Sequence, residues 1–245
     1  MVLLRVRNLS KFFGGVTAIK NLDFEVNKDE ILGLIGPNGC GKTTLFNLIT
    51  GFHKADRGDI SLEGKDITHV KPYRACQMGI ARTFQIVRPF SELTTLENVA
   101  MGTLYGSSPT RSLEQGRKEA QRILNFIGFD RKTHVIARNL SLVDRKTLEL
   151  GRALATKPKL LLLDEMMAGL NPVEIESTMR LVQAIRESGI TVIVVEHLMK
   201  AVLGMSDRII VLNAGEKIAE GTPKQISSDP QVIQAYLGRT LHAHG

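Results

Sequence analysis

The sequence predicts an α/β protein with a buried parallel sheet, an antiparallel β subdomain and a helical subdomain inserted into the core. Three observations carry this. The apolar runs Leu160–Leu163 and Thr191–Val195 are separated by a helical pattern, the rhythm of parallel strands buried on both faces. A third apolar run, Ile31–Ile35, leads straight into the glycine-rich stretch Gly36-Pro-Asn-Gly-Cys-Gly-Lys-Thr43. Residues 2–8 and 22–26 instead alternate apolar and polar positions, as strands with one wet face do.

The remaining elements follow in order. Strand 31–35 gives way to a helix over Thr43–Thr50, stopped near Gly51. Residues 58–63 read as an exposed strand, followed by the turn Gly64-Lys-Asp66. From Ser91 to Ala155 helices dominate, broken by a Ser/Gly/Pro-rich loop at Gly106–Thr110. Glu114–Ile127 carries apolar or small residues at 120, 123, 124 and 127, a helical stripe. Ser141 opens another helix, lined by Leu148, Leu150, Leu154 and Ala155. Asn171-Pro-Val-Glu174 starts a third, with Asn171 as N-cap, Pro172 in the first turn and Glu174 closing a capping box; Gly189 ends it. Arg208–Leu212, a turn at 213–215 and Lys217–Ala219 read as a closing hairpin. The expected organisation is a first part of the core with the antiparallel subdomain over 1–86, the inserted helical subdomain over 87–157, and the rest of the core with a C-terminal hairpin and short helices over 158–245.

Parallel sheets bind ligands beyond the C-terminal ends of their strands. Gly36, Asp164 and His197 all fall at or just past such ends, so three distant segments converge on one site. Gly36–Thr43 fits the spacing G-x(4)-G-K-[ST] in a strand–loop–helix context. Its glycines let the backbone bring several amides onto one anion, and the helix N-terminus adds favourable potential. Lys42 supplies a mobile positive charge for outer phosphates, and Thr43 an oxygen for Mg²⁺. Asp164 ends its strand where an acid holds Mg²⁺, and Glu165 is placed to polarise a water that attacks the γ-phosphate. His197 is delivered to the same edge, in reach of that phosphate and water. The chain is therefore expected to bind a nucleoside triphosphate.

Composition narrows the class. With 32 Lys+Arg against 25 Asp+Glu, the net charge of +7 is spread along the chain without a basic run, so no nucleic-acid partner is expected. No stretch reaches the length of a membrane span, and the N-terminus lacks a signal-peptide core, so any membrane role comes through a partner. Two cysteines, Cys40 and Cys76, offer neither a disulfide framework nor a metal cluster and fit a cytosolic setting. Cys40 reads as a small residue accepted beside glycines; the alternative is a thiol whose pKa the loop amides lower.

Across essentially its whole length the chain resembles the ATP-binding subunits of ABC transporters, whose P-loop NTPase (RecA-like) core carries an antiparallel and a helical subdomain. Gly36–Thr44 (Gly36, Pro37, Asn38, Gly39, Cys40, Gly41, Lys42, Thr43 and Thr44) resembles their Walker A motif. Gln85, in Arg82-Thr-Phe-Gln85, resembles the Q-loop glutamine that senses Mg²⁺ and contacts the transmembrane partner. Leu160–Glu165 resembles Walker B with the catalytic glutamate, Ala168-Gly-Leu-Asn171 the D-loop, and His197 the switch histidine. Phe13 matches the aromatic that stacks on adenine. The resemblance implies ATP and Mg²⁺ as cofactors, and a place on the cytoplasmic side of the membrane. It also implies a second ATP-binding subunit, transmembrane permease subunits and, indirectly, a substrate-binding protein. A narrower resemblance is to importer ATPases for branched-chain amino acids, carried by Ala81–Gln85, Leu93–Val99, Ala168–Pro172, Glu196–Lys200 and Ala235-Tyr-Leu-Gly238. Lipid-related members share some of these strings. A soluble member acting in DNA repair or translation is the rival from another class, but such proteins carry paired cassettes or long coiled insertions that this chain lacks.

One segment departs from the pattern. Family members carry Leu-Ser-x-Gly-Gln where this chain reads Leu140-Ser-Leu-Val-Asp144, and Met166 follows the catalytic glutamate where many members carry another residue. In the family this segment presses on the γ-phosphate held by the opposite subunit. Val143 obstructs a backbone approach that glycine permits, and Asp144 brings negative charge toward a triphosphate. Locally, Ser141-x-x-Asp144 is still a sound helix cap. A homodimer would contain two impaired sites, so a heterodimer is favoured. The rival reading is a subunit that binds ATP with little hydrolysis.

Overall fold

The computed structural model describes residues 1–85 and 87–237. Ile86, at the expected boundary of the first core segment, and Gly238, in the C-terminal string, lie outside the described residues. The first third of the chain contains β1 (Val2–Phe13), β2 (Val16–Asn27), β3 (Ile31–Ile35), α1 (Lys42–Ile49), β4 (Arg57–Leu62), β5 (Lys65–Asp66), α2 (Pro72–Gln77) and β6 (Ile80–Arg82). The middle holds α3 (Thr95–Thr103), α4 (Leu113–Phe126) and α5 (Leu142–Ala155). The last part runs β7 (Leu160–Asp164), α6 (Pro172–Glu187), β8 (Thr191–Val195), α7 (Met199–Met205), β9 (Arg208–Asn213), β10 (Glu216–Gly221), α8 (Pro223–Ser227) and α9 (Pro230–Leu237).

Two sheets form, as the patterning predicts. The antiparallel sheet has the order β2-β1-β4-β5, and the central sheet the order β10-β9-β3-β8-β7-β6. In the central sheet β9, β3, β8, β7 and β6 run parallel, and only β10 pairs antiparallel at the edge. The apolar runs are continuous because both faces are covered. Leu160, Leu162, Ile193 and Val195 pack toward α1 and the antiparallel sheet. Their neighbours Leu161, Leu163, Val192 and Val194 pack on the opposite face, with α5, α6 and α7. The helical stripe at 120, 124 and 127 joins that second core through Ala120, Leu124 and Ile127, which tie α4 to α3 and α5.

Local signals account for the helix starts. Ser141 accepts from the Asp144 amide at 3.1 Å. Asn171 and Glu174 close the expected capping box behind Pro172. The sequence missed α2 and β6. β6 is three residues long and is ordered by pairing with β7, a tertiary contact with no local periodicity. It nonetheless carries the chain to Gln85.

Candidate functional site

The phosphate-binding loop joins β3 to α1. Gly36 leaves the strand at φ 151, and a Cβ there would lie 2.1 Å from the Leu212 carbonyl oxygen, so only glycine makes this turn. Gly41, at φ 111, caps α1 without a side chain, leaving the first-turn amides of Lys42, Thr43 and Thr44 uncapped by any side chain. Lys42 is buried and folds its Nζ back onto the Gly36 carbonyl at 2.7 Å and the Pro37 carbonyl at 3.1 Å. Asn38 and Gly39 stand exposed at the loop's crest. Cys40 is buried, and burial pushes its thiol up despite the opposing Lys42 charge. That overturns the lowered-pKa alternative; Cys40 is the small packed residue, against which a Gly36 Cβ would clash at 2.6 Å.

The carboxylates come from the neighbouring strand ends. Asp164 ends β7 paired with Val195 of β8. Its side chain is 4% exposed and meets Arg82 at 2.7 Å, while Arg82 also donates to Asn47 of α1 at 2.5 Å. Glu165 breaks the strand at φ 49, a left-handed conformation uncommon for a non-glycine residue. Its two carboxylate oxygens are held by different partners. Gln85 Nε2 donates to Oε2 at 2.8 Å, and His197 Nε2 lies 2.8 Å from Oε1. Three segments separated by 80 and 32 positions thus meet on one carboxylate. Thr43, Gln85 and Asp164 line a single cavity of about 810 Å³. Among the described residues no cluster of His, Cys, Asp and Glu forms a protein-only metal site. A hydroxyl, an amide and one carboxylate fit Mg²⁺, which keeps waters and phosphate oxygens among its ligands. Uncapped amides beside a buried lysine fit the triphosphate.

Residues 19–168 match the family model for the ABC transporter, and residues 216–242 match the model for the branched-chain amino acid ATP-binding cassette transporter. The high-affinity branched-chain amino acid transport ATP-binding protein LivG of Escherichia coli (strain K12) is 41% identical, the alignment covering 96% of this chain and 98% of that protein. The corresponding protein BraF of Pseudomonas aeruginosa is 36% identical over 96% of this chain and 98% of its own length. A crystal structure of an ATP-binding cassette of an ABC transporter in its ADP conformation superposes with a TM-score of 0.89 at 38% identity, covering 97% of this chain and 99% of that one. This chain belongs to the ABC transporter ATP-binding subunits. It is closely related to the LivG-type ATPases.

Within this ABC cassette the Ser141–Asp144 segment is tied down locally. Asp144 bonds Ser141 Oγ at 2.8 Å and pairs with Lys132 at 2.5 Å. Burial works against its charge, but these hydrogen bonds outweigh burial and hold the carboxyl below its ordinary range. The negative charge of Asp144 is thus paired within the chain. Phe13 sits at the end of β1 with 42% of its surface exposed, edge-on to His53 and beneath the Lys11 ammonium, 5.2 Å from the ring centre.

Sequence reasoning missed several residues of this ABC site. Arg82 reads in the sequence only as a neighbour of Gln85, yet it is the partner of Asp164. Glu149, buried on α5, accepts from the Phe84 amide at 3.0 Å, and Arg152 donates to the Arg88 carbonyl at 3.0 Å, so α5 grips both flanks of Gln85. Lys146 Nζ donates to the Ala168 carbonyl at 2.6 Å, bracing the loop beyond Glu165. Buried Glu196 accepts from the Met167 amide at 2.7 Å, and burial raises its pKa. No local signal marks Glu149 or Arg152, because at helical spacing both fall beside Arg145 on the polar arc of α5.

Proposed function

We propose that this chain hydrolyses MgATP to drive import of branched-chain amino acids, as one of two different ATP-binding subunits under a permease. The observation that carries the hydrolytic reading is the grip of Gln85 and His197 on Glu165, beside the phosphate loop. Lys42 and the amides of Gly39–Thr44 take up phosphate charge, and Lys42 leaves its loop carbonyls to do so. Thr43 and Asp164, with Gln85, would hold Mg²⁺, which would supply positive charge to the phosphate oxygens. Glu165 accepts the proton of the attacking water. Gln85 and His197 keep its carboxylate aimed, and His197 reaches the γ-phosphate. Phe13 stacks on adenine through its exposed face.

The substrate class rests on the full-length likeness to LivG and BraF and on the match at 216–242. No helix among the described residues is long and apolar enough to cross a membrane. The likeness to transport ATP-binding proteins supports action on separate permease subunits from the cytoplasmic side. A substrate-binding protein serves them in turn. Val143 favours a heterodimer: this chain offers its phosphate loop and Glu165 to a partner's intact signature, giving one dominant hydrolytic site per pair. The same residue supports the second reading, an ATP-binding subunit with little hydrolysis.

The test is single-turnover hydrolysis by the chain alone and with its co-purified ATP-binding partner and permeases, followed by leucine uptake into proteoliposomes. ADP forms at a useful rate only in the assembly, and uptake follows it. Equal turnover by the isolated chain would remove the split-site reading. Turnover without leucine uptake would remove the substrate assignment.

A further inference from the structure

Glu165 sits in a backbone conformation that its residue type does not favour. Its φ of 49 is left-handed, and a non-glycine residue stays there only when its surroundings over-determine it. The turn 165–168 shows how this is done. The Glu165 amide donates to the Val195 carbonyl at 2.9 Å, which anchors the start of the turn to β8. Two charged side chains from outside the turn then hold the rest. Lys146 of α5 donates through Nζ to the Ala168 carbonyl at 2.6 Å and lies 3.4 and 3.5 Å from the Met166 and Glu165 carbonyls. Glu196 accepts from the Met167 amide at 2.7 Å.

Each charge meets the end of the peptide dipole that suits it: the cation collects carbonyls and the carboxylate takes an amide. Glu196 is 3% exposed, and Met166 and Met167 are buried beside it in the chain fold. Charge-assisted hydrogen bonds are at their strongest in such a setting. Both sets of bonds end on the backbone of the turn, so any effect on a ligand passes through Glu165.

We propose that Lys146 and Glu196 are positioning residues for Glu165: they lock the turn that keeps its carboxylate between Gln85 and His197. This rests on the hydrolytic reading above. Glu196 directly precedes His197, so one short segment both braces the turn and supplies a partner of the carboxylate. Lys146 stands on α5 about one and a half turns beyond Ser141, so the brace also ties Glu165 to the Ser141–Asp144 segment.

The test compares Lys146→Met and Glu196→Leu with the conservative Lys146→Arg and Glu196→Gln, in the full chain assembled with its ATP-binding partner and permeases. kcat and KM for MgATP are measured there, and amide hydrogen exchange at Glu165 and Met167 in the chain alone. Losing one charge-assisted bond predicts about a ten-fold lower kcat at unchanged KM. The Glu165 and Met167 amides exchange several-fold faster. Lys146→Arg and Glu196→Gln keep a donor and an acceptor, and recover most of the rate and the protection. Wild-type kcat or wild-type exchange in Lys146→Met overturns the brace. So does a fall in kcat that comes with an equal rise in KM or that the conservative variants do not recover. If Glu196→Leu fails to fold, the Lys146 pair decides alone. A wild-type assembly that does not turn over ATP overturns the hydrolytic reading instead, and the exchange contrast still tests the brace.

Discussion

The phosphate-loop face and the Ser141–Asp144 face use polar groups in opposite ways. On the first, both carboxylates are pinned by partners from distant segments: Asp164 by Arg82, and Glu165 by Gln85 and His197. On the second, the groups are satisfied by near neighbours. Ser141 and Asp144 cap their own helix, Lys132 neutralises Asp144, and Arg145 donates to the Leu140 and Arg138 carbonyls. Long-range ties fix a geometry in space, which is what chemistry on a ligand needs. Local ties fix a helix start. One face therefore fits the proposed chemistry on a nucleotide, and the other fits the start of a helix.

The sharpest way to break this contrast is Glu165→Gln. Its amide still reaches Gln85 and His197, so MgATP binding and melting temperature hold, but the proposed base is gone. Turnover of the assembled transporter should drop by about 10²- to 10⁴-fold. A variant that keeps half its turnover would show that Glu165 is held for structure alone. Next comes Arg82→Met, which strands the buried Asp164 charge. Breaking one side of a buried pair costs about 3–5 kcal/mol, read as a lowered denaturation midpoint. Combining it with Asp164→Asn should recover much of that loss; simple additivity would mean that the pair is not coupled.

What could be read in the sequence follows the same division. The apolar runs of β3, β7 and β8, and the caps at Ser141 and Asn171, are local signals, and they were legible. So was the convergence of Gly36, Asp164 and His197, because strand ends in a parallel sheet share an edge. Arg82 and Glu149 were not. Arg82 sits on a strand that exists only through its pairing with β7, and Glu149 looks from sequence like an ordinary helix acid. The fate of Asp144 also escaped, because Lys132 is on a loop whose return to α5 no periodicity announces.

The comparison sharpens at the weak face through Val143→Gly with Asp144→Gln. In the proposed heterodimer the glycine would let backbone approach the opposite nucleotide, so turnover should rise several-fold. Losing the Asp144 contacts costs about 1 kcal/mol of helix capping, a small fall in melting temperature. Unchanged turnover and transport would mean that this segment does not limit the cycle.

The last expected effect concerns Glu149, on the helix that Ser141 caps. Burial raises its carboxyl to about 7 from an ordinary 4.5; the Phe84 amide, Arg152 and Arg82 oppose the shift, and Asp164 adds to it. The sign follows from linkage. Between pH 4.5 and 7 the folded chain keeps a proton that the unfolded chain has released, so stability from this group falls as pH rises through that window and is level above it. Glu149→Gln has no proton to lose, and its amide oxygen still accepts from Phe84. The variant should match the wild type near pH 5 and melt higher at pH 8. A wild type that is the more stable at pH 8 would mean that Arg82 and Arg152 hold Glu149 as a true ion pair. The link from α5 to Gln85 would then belong with the charge-fixed phosphate-loop face.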